Sequence, residues 1–319
     1  MNTEKQTTRK QHYVPQFYLK QWVDSEQGFY PLKIERKVPP KLIVFDKKSD
    51  PSRFCYENFF YAQHTGKEDE SSQFIEKGFA EIEAIFSKLL PKLESKILKY
   101  EQITEEEKYH LSEFMIFIWL RGKQYREQSQ KMSEYMMKEI NKHTVQYCDK
   151  NPKIKAEMER LGLSKKDMID FAEKGEYGID FGNMHHMSIM KDMYGFCNIL
   201  SAKFWRVYIS TKGEFITSDV PYVDTPTSKE FWGNDFLSRE QKFILSPNIV
   251  IVATCPKDDV GKKFVRKDIT NNKSLTHNIN SNSLMHSIRF GFHKDKKLLE
   301  ELKGNLSLQY KLGSQKIYK

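Results

Sequence analysis

Residues 11–22 read Gln11-His12-Tyr13-Val14-Pro15-Gln16-Phe17-Tyr18-Leu19-Lys20-Gln21-Trp22. This stretch, here called the N-terminal arm, sets one histidine and one proline among bulky apolar and aromatic side chains. A solvated tail would not carry such side chains, because exposed apolar surface is unfavourable in water. The arm is therefore expected to pack against the rest of the chain.

A helical pattern begins at about Ser71. Apolar side chains recur from there at spacings of three and four, which places them on one helix face. They are Phe74, Ile75, Phe79, Ile82, Ile85, Phe86, Leu89 and Leu90. A second helix is expected to begin after Thr104, because Glu107 completes a capping-box pattern with it. That helix is predicted to continue as far as Tyr147.

Beyond the helical region the pattern becomes that of strands. β-branched residues concentrate and the apolar period approaches two. Segments 205–210 and 214–217, separated by Thr211-Lys212-Gly213, predict one hairpin, and segments 242–245 and 249–254 predict another. The sequence thus indicates an α+β fold, with a helical central region packed against a C-terminal antiparallel sheet.

The chain is long enough to bury a substantial core. With 319 residues, of which 39% are hydrophobic and 13% aromatic, it permits one large domain or two ordinary ones. We expect a single domain over residues 1–319 with two lobes. Residues 1–203 form a mainly helical lobe that carries the arm, and residues 204–319 form a β-rich lobe with a basic C-terminal segment.

Several cellular settings are disfavoured. The longest wholly apolar run, residues 114–120, is far shorter than the roughly 20 residues that span a bilayer. The first ten residues are polar and basic with no apolar stretch behind them, so no secretory signal is predicted. The four cysteines form no Cys-x-x-Cys pair, which argues against a zinc ribbon or a disulfide framework. A cytoplasmic location is expected, with no membrane partner.

The charge balance favours an anionic partner modestly. The formal net charge is +9, from 52 Lys+Arg against 43 Asp+Glu. The basic bias is strongest toward the C-terminus, where a nucleic acid would be expected to contact Lys262, Lys263 and Arg266. Phosphate-loop, dinucleotide-fingerprint, zinc-protease and nucleophile-elbow motifs do not occur, which disfavours the enzyme classes that they mark.

Four residues are candidates for catalysis and for metal binding. The imidazole of His12 can ligate a metal or transfer a proton near neutral pH, or it can simply anchor the arm. Glu76 and Glu83 lie two helical turns apart, so their carboxylates share a face near the apolar stripe, where a charge needs a metal ion or an arginine. The alternative is a solvated flank of the helix. Asp219 follows a strand, a position that suits a catalytic carboxylate or a local turn.

Three further residues are candidates for substrate binding. Arg121 ends an apolar helix face, where it can meet a phosphate or pair with a glutamate of the neighbouring helix. Ser218 is a candidate for substrate contact, or for a hydrogen bond to local amides. Asn280 belongs to an alternating asparagine series, so in an extended segment it would line a pocket, although turn and cap roles explain it equally well.

The ordered set of motifs resembles a bacterial domain-of-unknown-function family, numbered 4238, whose members typically begin with His-x-x-Pro-x-x-Tyr-Leu-x-x-Phe. His12, Pro15, Tyr18 and Leu19 match this motif, and Trp22 stands in place of the phenylalanine. The resemblance continues in order through Tyr56-Glu57-Asn58-Phe59-Phe60-Tyr61, Ile75-Glu76, Ile82-Glu83, Leu120-Arg121, Phe215-Ile216-Thr217-Ser218-Asp219-Val220-Pro221 and Leu245-Ser246-Pro247. The resemblance implies candidate positions, and the family name implies no activity.

Two functions fit these candidates. The first is a metal-dependent hydrolase, most simply a phosphodiesterase or nuclease, with His12, Glu76, Glu83 and Asp219 around Mg²⁺ or Mn²⁺. The alternative is a non-catalytic module that binds nucleic acid or protein through its basic segment. A toxin or phage-defence role is compatible with either. The hydrolase is preferred, because imidazole and carboxylate groups on separate elements are typical of active sites.

Overall fold

The computed structural model describes residues 8–26, 28–37, 40–61, 74–179, 184–226, 239–255 and 264–317, with backbone alone for 184–192 and 307–317. Its helices in these ranges are α1 Gln16–Leu19, α2 Phe74–Leu98, α3 Glu105–Arg121, α4 Lys123–Thr144, α5 Pro152–Leu161, α6 Lys165–Lys174, α7 Met184–Ala202, α8 Lys273–His286 and α9 Lys296–Ile317. Its strands are β1 Lys10–His12, β2 Tyr30–Glu35, β3 Lys41–Val44, β4 Tyr56–Asn58, β5 Phe204–Ile209, β6 Thr217–Ser218, β7 Tyr222–Pro226, β8 Arg239–Ser246, β9 Ile249–Thr254, β10 Phe264–Asp268 and β11 Phe290–His293. The α+β prediction is confirmed.

The capping box predicted at the start of α3 is present. The Thr104 hydroxyl accepts from the Glu107 amide at 3.1 Å, and the Glu107 carboxylate accepts from the Thr104 amide at 2.9 Å. The helix ends at Arg121, however, and the prediction that it continues to Tyr147 is wrong. Gly122 adopts an extended conformation and α4 begins after it. Glycine favours such a break because it is the poorest helix former after proline.

A five-stranded sheet has the order β10-β5-β9-β8-β7. Its neighbouring strands are antiparallel except for β10 and β5, which run parallel. The pairing of β8 with β9 confirms the hairpin predicted for 242–245 and 249–254. The large side chains of Trp205, Phe243 and Ile251 are fully buried here, so this sheet contributes much of the core.

The other predicted hairpin, between 205–210 and 214–217, is wrong. Both edges of β5 are already occupied, because Ile209 lies opposite Ile249 of β9 and opposite Asp268 of β10. No edge is left for the 214–217 segment. Its last residue instead begins β6, which pairs with β11 in a second sheet.

The second sheet has the order β3-β2-β11-β6 and joins distant parts of the chain. Phe292 of β11 lies opposite Pro31 of β2 on one side and Thr217 of β6 on the other. A Cβ atom at Gly291 would lie 2.7 Å from the end of the Leu284 side chain of α8, so a larger residue would require that side chain to move. This sheet crosses the predicted lobe boundary, and the division into two lobes stays a prediction.

The N-terminal arm is packed into the core, as expected. Tyr18 and Trp22 are fully buried. The Tyr18 hydroxyl donates to the Ile244 carbonyl of β8 at 2.6 Å and lies 2.8 Å from the Thr217 hydroxyl of β6. The Trp22 indole donates to the Phe215 carbonyl at 2.7 Å. One tyrosine hydroxyl thus bonds to a strand of each of the two larger sheets.

No helix in the described ranges combines the length and the apolar character needed to cross a membrane. The cysteines carry free thiols, with Cys55, Cys148 and Cys197 buried and Cys255 exposed. Burial raises the pKa of the Cys197 thiol to about 12, so this group stays protonated at neutral pH.

The hydroxyl of Tyr18 provides a test of how strongly the arm holds the sheets. Because a buried polar group left unpaired costs about 1–3 kcal/mol, we expect Tyr18→Phe to lower the free energy of unfolding by about 2 kcal/mol. Urea denaturation followed by tryptophan fluorescence measures the change. Tyr135→Phe is the matched control, since Tyr135 is 63% exposed. Equal losses in the two variants would contradict this role of the arm.

Candidate functional site

Arg121 lies at the C-terminal end of α3 with its side chain 1% exposed. Its Nη1 atom donates to Glu83 Oε1 at 2.5 Å. Its Nη2 atom donates to the main-chain carbonyl of His12. These charge-assisted bonds offset the cost of removing the guanidinium from water. Arg121 therefore joins α2, α3 and the N-terminal arm.

Aromatic rings surround this guanidinium. Its central carbon lies 4.8 Å from the ring centroid of Phe117, 5.1 Å from that of Phe79 and 5.8 Å from that of Tyr61. The Tyr61 hydroxyl also donates to the Arg121 carbonyl at 2.9 Å. Ring faces attract a cation, and more strongly where water is excluded. The rings both shield the charge and fix its position.

Glu76 is the carboxylate that Arg121 does not hydrogen-bond. Its Oε2 atom is buried and has no hydrogen-bond partner among the described residues. Burial raises the pKa of Glu76 to about 7; the positive charge of Arg121 opposes the rise and the negative charge of Glu83 adds to it. Desolvation outweighs the attraction to Arg121, so Glu76 exchanges its proton close to neutral pH. We call Glu76, Glu83 and Arg121 the Arg121 cluster.

His12 contributes its main chain, rather than its ring, to the Arg121 cluster. The ring Nε2 lies 3.3 Å from the Ser52 carbonyl, and Nδ1 lies 3.3 Å from the amide nitrogen of the Gln16 side chain. Burial lowers the pKa of His12, which favours the neutral ring. A neutral ring that donates from Nε2 and accepts at Nδ1 satisfies both contacts. The ring is thus engaged by a backbone carbonyl and by a side chain of the arm.

Asp219 has different partners. Its carboxylate accepts hydrogen bonds from the backbone amides of Ile288 at 2.8 Å, Arg289 at 2.7 Å and Phe290 at 3.1 Å. The residue is 2% exposed, and burial raises its pKa to about 6 while these amides oppose the rise. The carboxylate therefore fixes the segment that leads into β11, about 70 residues away in the chain, rather than the local turn considered from the sequence.

Ser218 and Asn280 support the same corner of the second sheet. The Ser218 hydroxyl accepts from the Val220 amide at 3.1 Å, which is a local turn. Asn280 lies on α8, so the alternating asparagines do not share a face in the way that an extended segment would give. Its side chain accepts from the Ile216 amide at 3.1 Å and donates to the Glu214 carbonyl at 2.8 Å. It also lines a cavity of about 400 Å³ beside α9.

The predicted basic contacts lie elsewhere. Arg266 is on β10, at the edge of the five-stranded sheet, where it donates to the Glu101 carbonyl. Its guanidinium carbon lies 5.0 Å from the ring centroid of Phe264. Lys262 and Lys263 lie outside the described residues.

The structure thus brings part of the predicted site together. Glu76, Glu83 and Arg121 meet beside the main chain of His12, whereas Asp219 bonds to the turn before β11. Within the described ranges, no group of three or more His, Cys, Asp or Glu side chains is placed to hold a metal ion. The Mg²⁺ or Mn²⁺ site stays a prediction.

Comparison with known proteins assigns the chain to a protein family. A family model described as "Protein of unknown function (DUF4238)" matches residues 10–297. The chain belongs to the DUF4238 family. No curated protein and no solved structure matched it.

Some residues that shape the DUF4238 site were not selected from the sequence. Tyr61 closes one family motif and bonds to Arg121. Gln16 begins α1 four residues after His12, which ends β1, so helical spacing did not indicate their contact. Glu94 was also missed: its Oε1 atom is buried without a partner among the described residues, and burial raises its pKa to about 8. The signal was an acid set among the apolar positions Leu90 and Ile97 of α2.

The stability of this DUF4238 protein should depend on pH through Glu76. The folded chain holds the Glu76 proton up to about pH 7, whereas the ordinary value is 4.5. The native state thus binds more protons than the unfolded state in this window, so its stability falls as the pH rises through it. Glu76→Gln removes this loss, and above the window we expect the variant to be more stable than the wild type by about 2 kcal/mol.

Denaturant titrations below and above this window measure the effect. Glu81→Gln is the matched control, because Glu81 is an exposed glutamate on the same helix. A stability difference between Glu76→Gln and wild type that does not change with pH would contradict the raised pKa.

Proposed function

We propose that the protein is a hydrolase that cleaves phosphodiesters of nucleic acid, with Glu76 as its proton-transfer group. The observation that carries the proposal is the unpaired, buried Oε2 atom of Glu76 beside a buried arginine. An acid or base works best when its pKa lies near the working pH. Glu76 meets this condition because of its surroundings, whereas an ordinary glutamate does not.

The division of charge within the Arg121 cluster supports this role. Glu83 accepts the guanidinium hydrogen bond at 2.5 Å, so it is the carboxylate paired with Arg121. Glu76 interacts electrostatically with both Arg121 and Glu83 but does not share the Arg121 hydrogen bond. Neighbouring carboxylates in different surroundings are a recurrent arrangement in acid-base catalysis, since one stays ionised while the other carries the proton.

The surroundings of His12 suit an anionic substrate. Lys10 is exposed, and its charge is one of those that lower the pKa of His12. Its ammonium lies 4.9 Å from the ring centroid of Tyr56. The net charge of +9 adds a long-range attraction for a polyanion. A phosphodiester could approach on this side while Glu76 takes a proton from the attacking water.

Metal dependence is a separate part of the proposal. A divalent ion would activate water and neutralise phosphate charge. Glu76 offers an unpaired oxygen to Mg²⁺ or Mn²⁺, but the Arg121 guanidinium already supplies positive charge beside it, and the Asp219 carboxylate bonds to three amides. The described donor atoms therefore do not form a complete coordination site for such an ion.

Hydrolysis of labelled single-stranded DNA, duplex DNA and RNA tests this function. Each substrate is incubated with Mg²⁺, with Mn²⁺ and with a chelator. We expect Glu76→Gln to lower kcat by about a hundredfold or more, the usual contribution of a proton-transfer group. The wild-type rate should rise with pH toward about 7 if Glu76 acts as the base. Glu81→Gln should leave the rate unchanged.

His12→Ala separates the roles of ring and backbone. The Arg121 bond is to the His12 carbonyl, which the variant keeps. A folded variant with lost activity would support a functional ring, and full activity would limit His12 to structure. Hydrolysis by Glu76→Gln at the wild-type rate would overturn the proposal.

A second candidate, a non-catalytic nucleic-acid-binding module, is favoured by the edge strand β10. Lys267 is exposed on that strand, and Tyr100, which is 54% exposed, lies 5.8 Å by ring centroid from the Arg266 guanidinium carbon. Basic groups beside accessible aromatic rings are typical of single-strand binding surfaces.

Binding measured over a salt series tests this candidate. A phosphate contact by Lys267 should make Lys267→Glu weaken binding of a labelled single strand for all sequences and reduce the salt slope by about 1. Lys155→Glu, an exposed lysine on α5, is the matched control. Equal weakening by both substitutions would assign the effect to net charge and contradict a β10 contact.

A further inference from the structure

An apolar groove lies between α2, α3 and α7, apart from the Arg121 cluster. Its volume is about 570 Å³. Ile82, Phe86 and Leu89 of α2 and Met193 of α7 form its apolar lining. Ile85, at its margin, is 62% exposed. Apolar surface left open in this way commonly marks a binding site.

The antiparallel course of α2 and α3 explains where the groove lies. Glu83 bonds to Arg121 near one end of the helix pair, and Lys96 bonds to Glu107 at 2.6 Å near the other. Between these contacts the Phe86 ring packs on Phe114, with centroids 5.1 Å apart. Ile82, Ile85 and Leu89, which flank Phe86 on α2, line the groove.

The charges at the rim are unequal. Lys88 and Lys92 line the groove one helical turn apart on α2, so their stems point the same way. Neither ammonium forms an ion pair with a described residue. Across the groove, Glu113 is engaged by His110, whose Nδ1 lies 2.7 Å from its carboxylate. Two lysine ammonium groups that form no ion pair with a described residue therefore border the groove, against one carboxylate, that of Glu113.

We propose that this groove binds an amphiphilic carboxylate, with its alkyl chain on the apolar lining and its carboxylate between Lys88 and Lys92. The volume lies within the range of about 300–1,000 Å³ that small-molecule sites occupy. Nine described residues line the groove, whereas a stable protein interface uses about 20–30 residues a side. The size favours a small ligand, and the rim charge selects an anionic headgroup.

Isothermal titration of the full chain with sodium dodecanoate, below its micelle concentration, tests this site. Dodecan-1-ol is the uncharged probe with the same chain. We expect saturable binding of one dodecanoate per chain and weaker binding of the alcohol. Lys88→Glu with Lys92→Glu should weaken dodecanoate binding by about tenfold, because both ion pairs are replaced by repulsion. Ile85→Glu, at an exposed position, should weaken both probes.

The matched control is Lys153→Glu with Lys155→Glu, which makes the same charge change on exposed positions of α5 and should leave binding unaltered. Circular dichroism confirms that each variant is folded. The proposal is overturned if dodecanoate does not bind, if the alcohol binds equally well, or if the control pair weakens binding as much as the rim pair. Binding only to phosphatidylglycerol vesicles, with none to free dodecanoate, would assign the lysines to a membrane surface and overturn it too.

Discussion

The buried guanidinium of Arg121 is the constraint on which the helical part of the structure depends. A charge removed from water needs partners that offset its lost hydration, and breaking such an arrangement typically costs about 3–5 kcal/mol. The partners of Arg121 come from α2 through Glu83, from the arm through the His12 carbonyl and from Tyr61 through its ring. Helix, arm and connecting segment must therefore be in place together, which makes their folding cooperative.

The second sheet is held by an analogous use of polar groups. Tyr18 joins β8 to β6, and Asp219 collects three backbone amides at the turn before β11. Asn280 bonds to both sides of the segment that leads into β6. The Tyr18 hydroxyl contacts residues 199 and 226 positions away in the chain, and Asp219 and Asn280 bond to backbone groups 64 to 71 positions away. Many of the polar residues that suggested a functional site from the sequence thus form hydrogen bonds that stabilise irregular backbone segments.

Local rules predicted the elements whose causes are local. The Thr104 capping box and the β8–β9 hairpin depend on residues within a few positions of each other. Pairings that depend on competition between distant segments were not predictable. Segment 214–217 had a good hairpin pattern, but β10 and β9 occupied both edges of β5. Only the three-dimensional arrangement reveals that competition.

The same distinction applies to the candidate site. The two-turn spacing of Glu76 and Glu83 predicted a shared helix face and a need for a positive partner, and an arginine supplies it. Which carboxylate would receive the hydrogen bond was not readable, because it depends on how α2 and α3 pack. Gly122 ends α3 directly after Arg121, where the guanidinium meets Glu83 and the His12 carbonyl.

Glu76 is the least favourable residue of this arrangement for stability alone. A glutamine would fill nearly the same volume without a charge to desolvate, so a glutamate with a raised pKa lowers stability at neutral pH. Local choices that oppose stability are expected chiefly at functional sites. The other polar residues of the arm and of the β6 turn have backbone partners that account for them. The fold thus keeps an acidic side chain at position 76 that its stability does not require. That is the physical reason for proposing proton transfer by Glu76.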